Sequence, residues 1–132
     1  MTTQRATLRC SLCDWSSPID NLYNLCPVDS APILVQYTFA DPPRLRQRSD
    51  MWRYLDVLPA DAERDVVTLG EGLTPLLPSR ERDNVFIKDE SKNPTRSFKS
   101  RGMAAAVTMA KKLGAQSLAA PTAGNAGAAL SA

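Results

Sequence analysis

Residues 85–114 read VFIKDESKNPTRSFKSRGMAAAVTMAKKLG, and residues 121–127, a few positions on, read PTAGNAG. The apolar run at 85–88 predicts a strand, ESKNPT a loop, and 97–113 a helix that ends at Gly114 near its C-cap. On that helix Phe98, Ala105, Met109 and Leu113 can share one apolar stripe, and Gly102 allows a close approach. Residues 117–120 read as a short strand of small residues and 121–127 as a glycine-bearing turn. A second helix begins at 126 and is still running at 132. Strand, helix, strand and helix in that order imply an α/β fold, a parallel sheet covered by helices. The pattern breaks off at ALSA with no cap, so a fragment or a truncated product is the expectation.

Two features of this stretch carry chemistry. Lys99 falls in the first turn of the predicted helix, where unpaired N–H groups and the helix dipole disfavour an ammonium. A lysine whose neutral form is favoured is the kind that forms a Schiff base. A solvated surface lysine fits the same pattern, so position alone does not assign the role. The turn at 121–127 lies where a strand end meets a helix, the usual ligand crevice of open α/β folds. Gly124 and Gly127 let backbone approach a ligand, and Asn125 offers both a donor and an acceptor. A plain turn with a helix cap accounts for the same residues. The dinucleotide pattern G-x-G-x-x-G and the phosphate-loop pattern are both absent.

Working back toward the start, VVTLGEGLTPLLP carries Pro75 and Pro78 and suits an edge segment better than a central strand. MWRYLDVL reads as one short helix, stopped by Pro59, with Trp52, Leu55 and Leu58 docked on the main body. Residues 46–83 thus form a connecting region and 84–132 the start of the main domain. Residues 1–45 differ in character. They hold Cys10, Cys13 and Cys26, five of the ten prolines and a strand at Ile33–Tyr37. Cys10-x-x-Cys13 and Cys26-x-x-Asp29 are spaced like the two knuckles of a zinc ribbon. The other reading is a ribbon-shaped remnant held by packing of Trp15, Tyr23 and Leu25. Redox chemistry at Cys10 and Cys13 lacks a supporting helix signal.

Composition narrows the classes. The 132 residues hold 16 Lys plus Arg and 14 Asp plus Glu, a net charge of +2 that argues for neither nucleic acid nor an acidic membrane as partner. There is no histidine, which removes His-based triads, most metalloprotease sites and His/Cys deaminase sites. Three cysteines, an odd number, argue against a closed disulfide framework. No apolar run has the length of a membrane span, and MTTQRATLRC lacks the apolar core of a secretory signal, so a cytoplasmic location is expected. Uncovered helix and strand edges would invite association, a homo-oligomer included.

Taken together, the lysine run, PTAGNAGAALSA and the upstream WRYLDVLP…VTLGEGLTPLLP resemble the threonine synthases, in the same order and over about residues 10–132. S-F-K-x-R-G alone points only to the wider group that also holds threonine dehydratases and cysteine synthases. The resemblance implies the tryptophan-synthase-β-like fold (pyridoxal-phosphate fold type II), here incomplete and preceded by the small zinc-ribbon-like segment. It implies conversion of O-phospho-L-homoserine and water to L-threonine and phosphate, a carbon–oxygen lyase reaction on a small amino-acid substrate with pyridoxal phosphate. It makes Lys99 the catalytic, cofactor-bearing lysine and places Asn125 on the cofactor's phenolic oxygen. Thr122, Ala123 and Gly124 would hold the substrate carboxylate. Many such enzymes carry C-x-x-C twice; here Asp29 stands where the fourth cysteine would be, leaving Cys10, Cys13, Cys26 and Asp29 as the zinc candidates. The family usually reads N-P-T-G-S-F-K, and this chain has Arg96 in the glycine's place. If that position needs a positive φ, the arginine strains the loop by roughly 1–2 kcal/mol. The rival readings are another enzyme of the same fold, a threonine dehydratase or a cysteate-synthase-like protein, and a truncated product that binds no cofactor.

Overall fold

The structure, a computed structural model, describes residues 6–39 and 42–132. The chain divides into two compact units, Met1–Pro42 and Pro43–Ala132.

The first unit is a three-stranded antiparallel sheet of β1 (Ala6–Cys10), β2 (Ser16–Pro18) and β3 (Ile33–Tyr37), in the order β2-β1-β3. Strand β1 alternates buried and exposed residues, so Ala6, Leu8 and Cys10 face inward, as one-sided burial of a strand demands. Cys10, Cys26 and Ala31 form a small core, with Cys13, Trp15 and Ile33 against it. Trp15 and Tyr23 meet edge to face with ring centroids 5.0 Å apart. Leu25, expected to help pack this unit, is half exposed.

The second unit begins with a 3-10 helix, Met51–Val57, capped by Asp50, whose carboxylate accepts the Trp52 N–H at 3.0 Å. The segment kinks at Tyr54 and closes before Pro59. Met51, Trp52, Leu55 and Ala60 are buried together, and Leu58, Val66, Ala104 and Ala105 pack around them. All four buried members of this cluster thus come from the region that connects in sequence. Trp52, fully buried, contributes about 2–3 kcal/mol through burial alone. Gly72 closes the loop beneath: its φ is 139°, and a Cβ there would lie 2.5 Å from the Met51 nitrogen.

Strands β4 (Leu76–Pro78) and β5 (Phe86–Lys88) pair antiparallel as a small hairpin. Helix α1 (Lys99–Lys112) follows, with Gly114 beyond its end at φ 76°, and then helix α2 (Asn125–Ser131), packed on α1. Two expectations fail. No strand forms at 117–120, and no parallel pairing occurs among the described residues. The hairpin partner of β5 is nearby in sequence and costs little loop entropy, whereas residues 117–120 meet no strand to bond with. The buried stripe of α1 is also displaced. Ser100, Thr108 and Ala110 are buried while Phe98 is exposed; the buried hydroxyls are matched, that of Thr108 by the Val67 N–H at 2.9 Å and that of Ser100 by the Ser97 carbonyl at 3.1 Å. A stripe chosen by hydrophobicity passes over such a threonine.

Arg96 adopts φ 57°, the left-handed region. Its N–H bonds the Asn93 carbonyl at 2.8 Å, so a tight turn holds it there. Arg96→Gly removes strain of about 1–2 kcal/mol. It returns roughly 0.5–1 kcal/mol as unfolded-chain entropy. A net gain near 1 kcal/mol in urea unfolding is expected, and a clear loss would contradict the strain.

Candidate active site

Lys99 is the first residue of α1. Its own N–H bonds the Ser97 hydroxyl at 3.1 Å, and its Nζ lies 4.4 Å from the centroid of the Phe98 ring. Phe98, at the N-cap, supplies no capping side chain, and the first turn holds no acidic residue. Beyond the local bonds to Ser97, this helix start is tied by polar contacts from other segments. Arg101 grips Glu90 with both arms, Nε to Oε2 at 2.7 Å and Nη2 to Oε1 at 2.9 Å. The Thr74 hydroxyl donates to the same carboxylate at 2.5 Å, and the Asn93 amide at 2.7 Å. The Asn93 amide oxygen in turn accepts the Gly72 N–H at 3.2 Å, and the Lys88 amine donates to the Thr74 carbonyl. Asn93 is buried and Glu90 and Arg101 are partly so.

A second carboxylate lies deeper. Glu71 is 1% exposed and accepts from the Trp52 indole at 3.2 Å, the Thr68 hydroxyl at 2.9 Å and the Leu69 N–H at 2.9 Å. Three donors satisfy it where water cannot. Neither carboxylate stands out in the sequence, where Glu71 lies in the connecting region and Glu90 opens the loop ESKNPT. The signal available was the pairing of an acidic residue just before N-P-T with an arginine in the first helical turn, where the dipole disfavours a cation unless it is matched.

The turn at 121–127 takes shape around Thr122. Its Oγ1 accepts the N–H groups of Gly124 at 3.0 Å and Gly127 at 2.9 Å and so caps α2. Gly124 sits at φ 141°, and a Cβ on Gly127 would meet the Thr122 methyl at 2.6 Å. Thr122, Ala123, Gly124 and Asn125 are all exposed. Lys99 and Asn125 thus open two helices that pack on each other. A cavity of about 590 Å³ between the end of α1 and α2 is lined by Ala110, Gly114, Gln116, Leu118 and Leu130. A tighter one of about 80 Å³ touches Glu71, Thr95 and Ser100. Neither is lined by Lys99 or Asn125.

In the first unit, one ligand atom from each of Cys10, Cys13, Cys26 and Asp29 comes within 4.8 Å of the others. The Cys13 and Cys26 sulfurs are 3.7 Å apart, and Cys10 Sγ is 3.4 Å from both Asp29 oxygens. Burial pushes the Cys10 thiol up, but N–H groups of Leu12 and Cys13 donating to its sulfur bring it below the ordinary thiol value. The Trp15 backbone draws the Cys13 thiol down, yet burial and the neighbours Asp29, Cys10 and Cys26 push it up to about 12. The Ala31 N–H and the cysteine thiols hold Asp29 at about 2.

Arg101 and then the Thr74 and Asn93 donors, against the cost of burial, hold Glu90 at about 2, below its ordinary 4.5. The folded state binds this proton less tightly than the unfolded chain, so the stabilisation is complete above pH 4.5 and is lost as pH falls toward 2. Unfolding midpoints measured downward from about pH 6 should fall in that window. Glu90→Gln should begin lower and decline less steeply; parallel curves would contradict the assignment.

Residues 67–132, half of the chain, match the model of the pyridoxal-phosphate dependent enzyme family. A threonine synthase of Methanocaldococcus jannaschii is 40% identical over 96 residues, 67% of this chain and 24% of that protein. One from Synechocystis sp. is 37% identical over 115 residues, 78% of this chain and 30% of that protein. The beta subunit of 2-amino-4-ketopentanoate thiolase from Acetoanaerobium sticklandii is 56% identical over 46 residues, 35% of this chain and 10% of that protein. The chain spans less than a third of the length of each of these relatives. No solved structure matches. Among the described residues, no helix is long and apolar enough to cross a membrane. The chain belongs to the pyridoxal-phosphate dependent enzyme family.

Proposed function

We propose that the protein is a threonine synthase, which converts O-phospho-L-homoserine and water to L-threonine and phosphate. The observation that carries this is Lys99 at the head of α1, held by the Arg101–Glu90 pair, in a stretch similar to named threonine synthases. The residues fit the cofactor by chemistry: a primary amine for its aldehyde, the Asn125 amide for its phenolic oxygen, and the backbone at Thr122, Ala123 and Gly124 for the substrate carboxylate, of which the Gly124 N–H is already donated to Thr122 Oγ1. When bound, pyridoxal phosphate supplies an electron sink for carbanions beside the amino group. Lys99 anchors the cofactor and moves protons at the substrate carbons. Thr122 holds its own turn rigid, so that the loop N–H groups keep their direction. The partner is a small amino acid, the location cytoplasmic, and a homo-oligomer fits the exposed apolar residues Leu76, Phe86 and Ile87. In this reading 1–45 is a zinc-ribbon-like segment, 46–83 a connecting region and 84–132 the start of the cofactor-binding domain.

The similarity to the thiolase subunit favours a second reading, another pyridoxal-phosphate enzyme of this fold with a different substrate. Phosphate release separates the two. The full-length protein with pyridoxal phosphate should release phosphate from O-phospho-L-homoserine and form threonine, and Lys99→Ala should reduce both to background. Turnover of other amino acids without phosphate release would favour the second reading.

The cysteine cluster suits zinc. Tetrahedral zinc with Zn–S bonds of about 2.3 Å sets two sulfurs about 3.8 Å apart, and a sulfur and a carboxylate oxygen about 3.5 Å apart. Two of the ligand separations, 3.7 Å and 3.4 Å, fall close to these values, and all four ligand atoms lie within 4.8 Å of one another. The packing of Trp15 on Tyr23 supports the metal-free reading instead. Protein purified without chelators should hold close to one zinc, lost in Cys26→Ser. Less than about a tenth of an equivalent would sink the site.

A further inference from the structure

We propose that Arg101 is a positioning residue: its fork on Glu90 sets the first turn of α1 and thereby the place of the Lys99 amine. This rests on the reading of Lys99 as the cofactor's lysine.

Three observations converge. The start of α1 has no acidic residue in its first turn and none of its capping comes from Phe98 at the N-cap; its side-chain cap is the Ser97 hydroxyl on the Lys99 N–H. Arg101 is the third residue of the helix, an end where the dipole disfavours a cation, and it is matched there by a two-pronged contact with Glu90. Glu90 is itself held from three directions, by Arg101 in the helix, by Thr74 after the Gly72 turn and by Asn93 in the loop that leads to Lys99. Arg101 Nη2 also reaches the Thr74 hydroxyl at 3.2 Å, closing the ring of contacts. Residues two apart on a helix point about 200° apart, so Arg101 faces away from the direction of Lys99. Its influence passes through the backbone of the first turn and not through contact with the cofactor. Small displacements of a reacting group are costly, which is why such a support matters.

Arg101→Lys keeps the charge and loses the fork. In the full-length protein we measure how fast pyridoxal phosphate is captured and the pH at which the absorption of the bound cofactor changes. The positioning role predicts capture slowed about tenfold and a displaced spectral pH. Thr74→Val, which removes one hydroxyl from the same carboxylate, should move both in the same direction and less. It decides the matter should Arg101→Lys not fold. Variants that are merely less stable, with wild-type capture and spectral pH, would overturn the proposal. Lys99→Ala separates the two failures. If it retains the wild-type absorption, the reading of Lys99 falls and the proposal with it. If that absorption is lost while Arg101→Lys and Thr74→Val match wild type, the positioning claim alone falls.

Discussion

The carboxylate of Glu90 is the point on which the second unit's organisation depends. It follows directly on the β4–β5 hairpin, and it accepts from a helix, a turn and a loop that otherwise have little reason to stay together. A partly buried carboxylate is stable only when its oxygens are matched, and here the matching groups come from three segments. Each partner therefore restrains the others. The Gly72 turn is tied through Asn93, the hairpin through Lys88 and Thr74, and the head of α1 through Arg101. Beneath this ring, the Trp52 indole on Glu71 joins the 3-10 helix to the same turn, so that polar matching and apolar burial support one geometry.

Much of this was legible in order and little of it in contact. Proline and glycine marked the ends of the 3-10 helix and of α1, and the strand Ile33–Tyr37 matched its apolar run. The buried face of α1 was not legible, because Ser100 and Thr108 are polar residues buried by specific hydrogen bonds. Periodicity weighs side chains by hydrophobicity and cannot see a hydroxyl that meets a backbone partner 41 residues away. The parallel sheet was inferred from element order. Order describes a whole fold, while strands form only where a neighbour accepts their hydrogen bonds. Arg96 was readable in part: its place in a glycine position raised the condition of a positive φ without deciding it, and the backbone takes one.

The candidate site was legible as a list of residues and not as a geometry. Lys99 and Asn125 open α1 and α2, and the turn at Thr122 precedes α2, close to the helix starts expected at 97 and 126. The contacts around the start of α1 were less legible: Arg101 stands in the S-F-K-x-R-G motif, but its fork on Glu90 and the Asn93 amide on the same carboxylate are partners that no spacing rule names. In the first unit the paired spacing of Cys10, Cys13, Cys26 and Asp29 did foretell a cluster, since two short knuckles beside one antiparallel sheet leave their side chains few other places to go.

The central claim is that Lys99 is the residue that carries pyridoxal phosphate. Borohydride reduction of the cofactor-loaded full-length protein, followed by mass analysis of its peptides, tests this most directly. The account predicts the reduced cofactor on the peptide that contains Lys99, with Lys88 and Lys92 unlabelled. The label on another lysine, or on none, would contradict it.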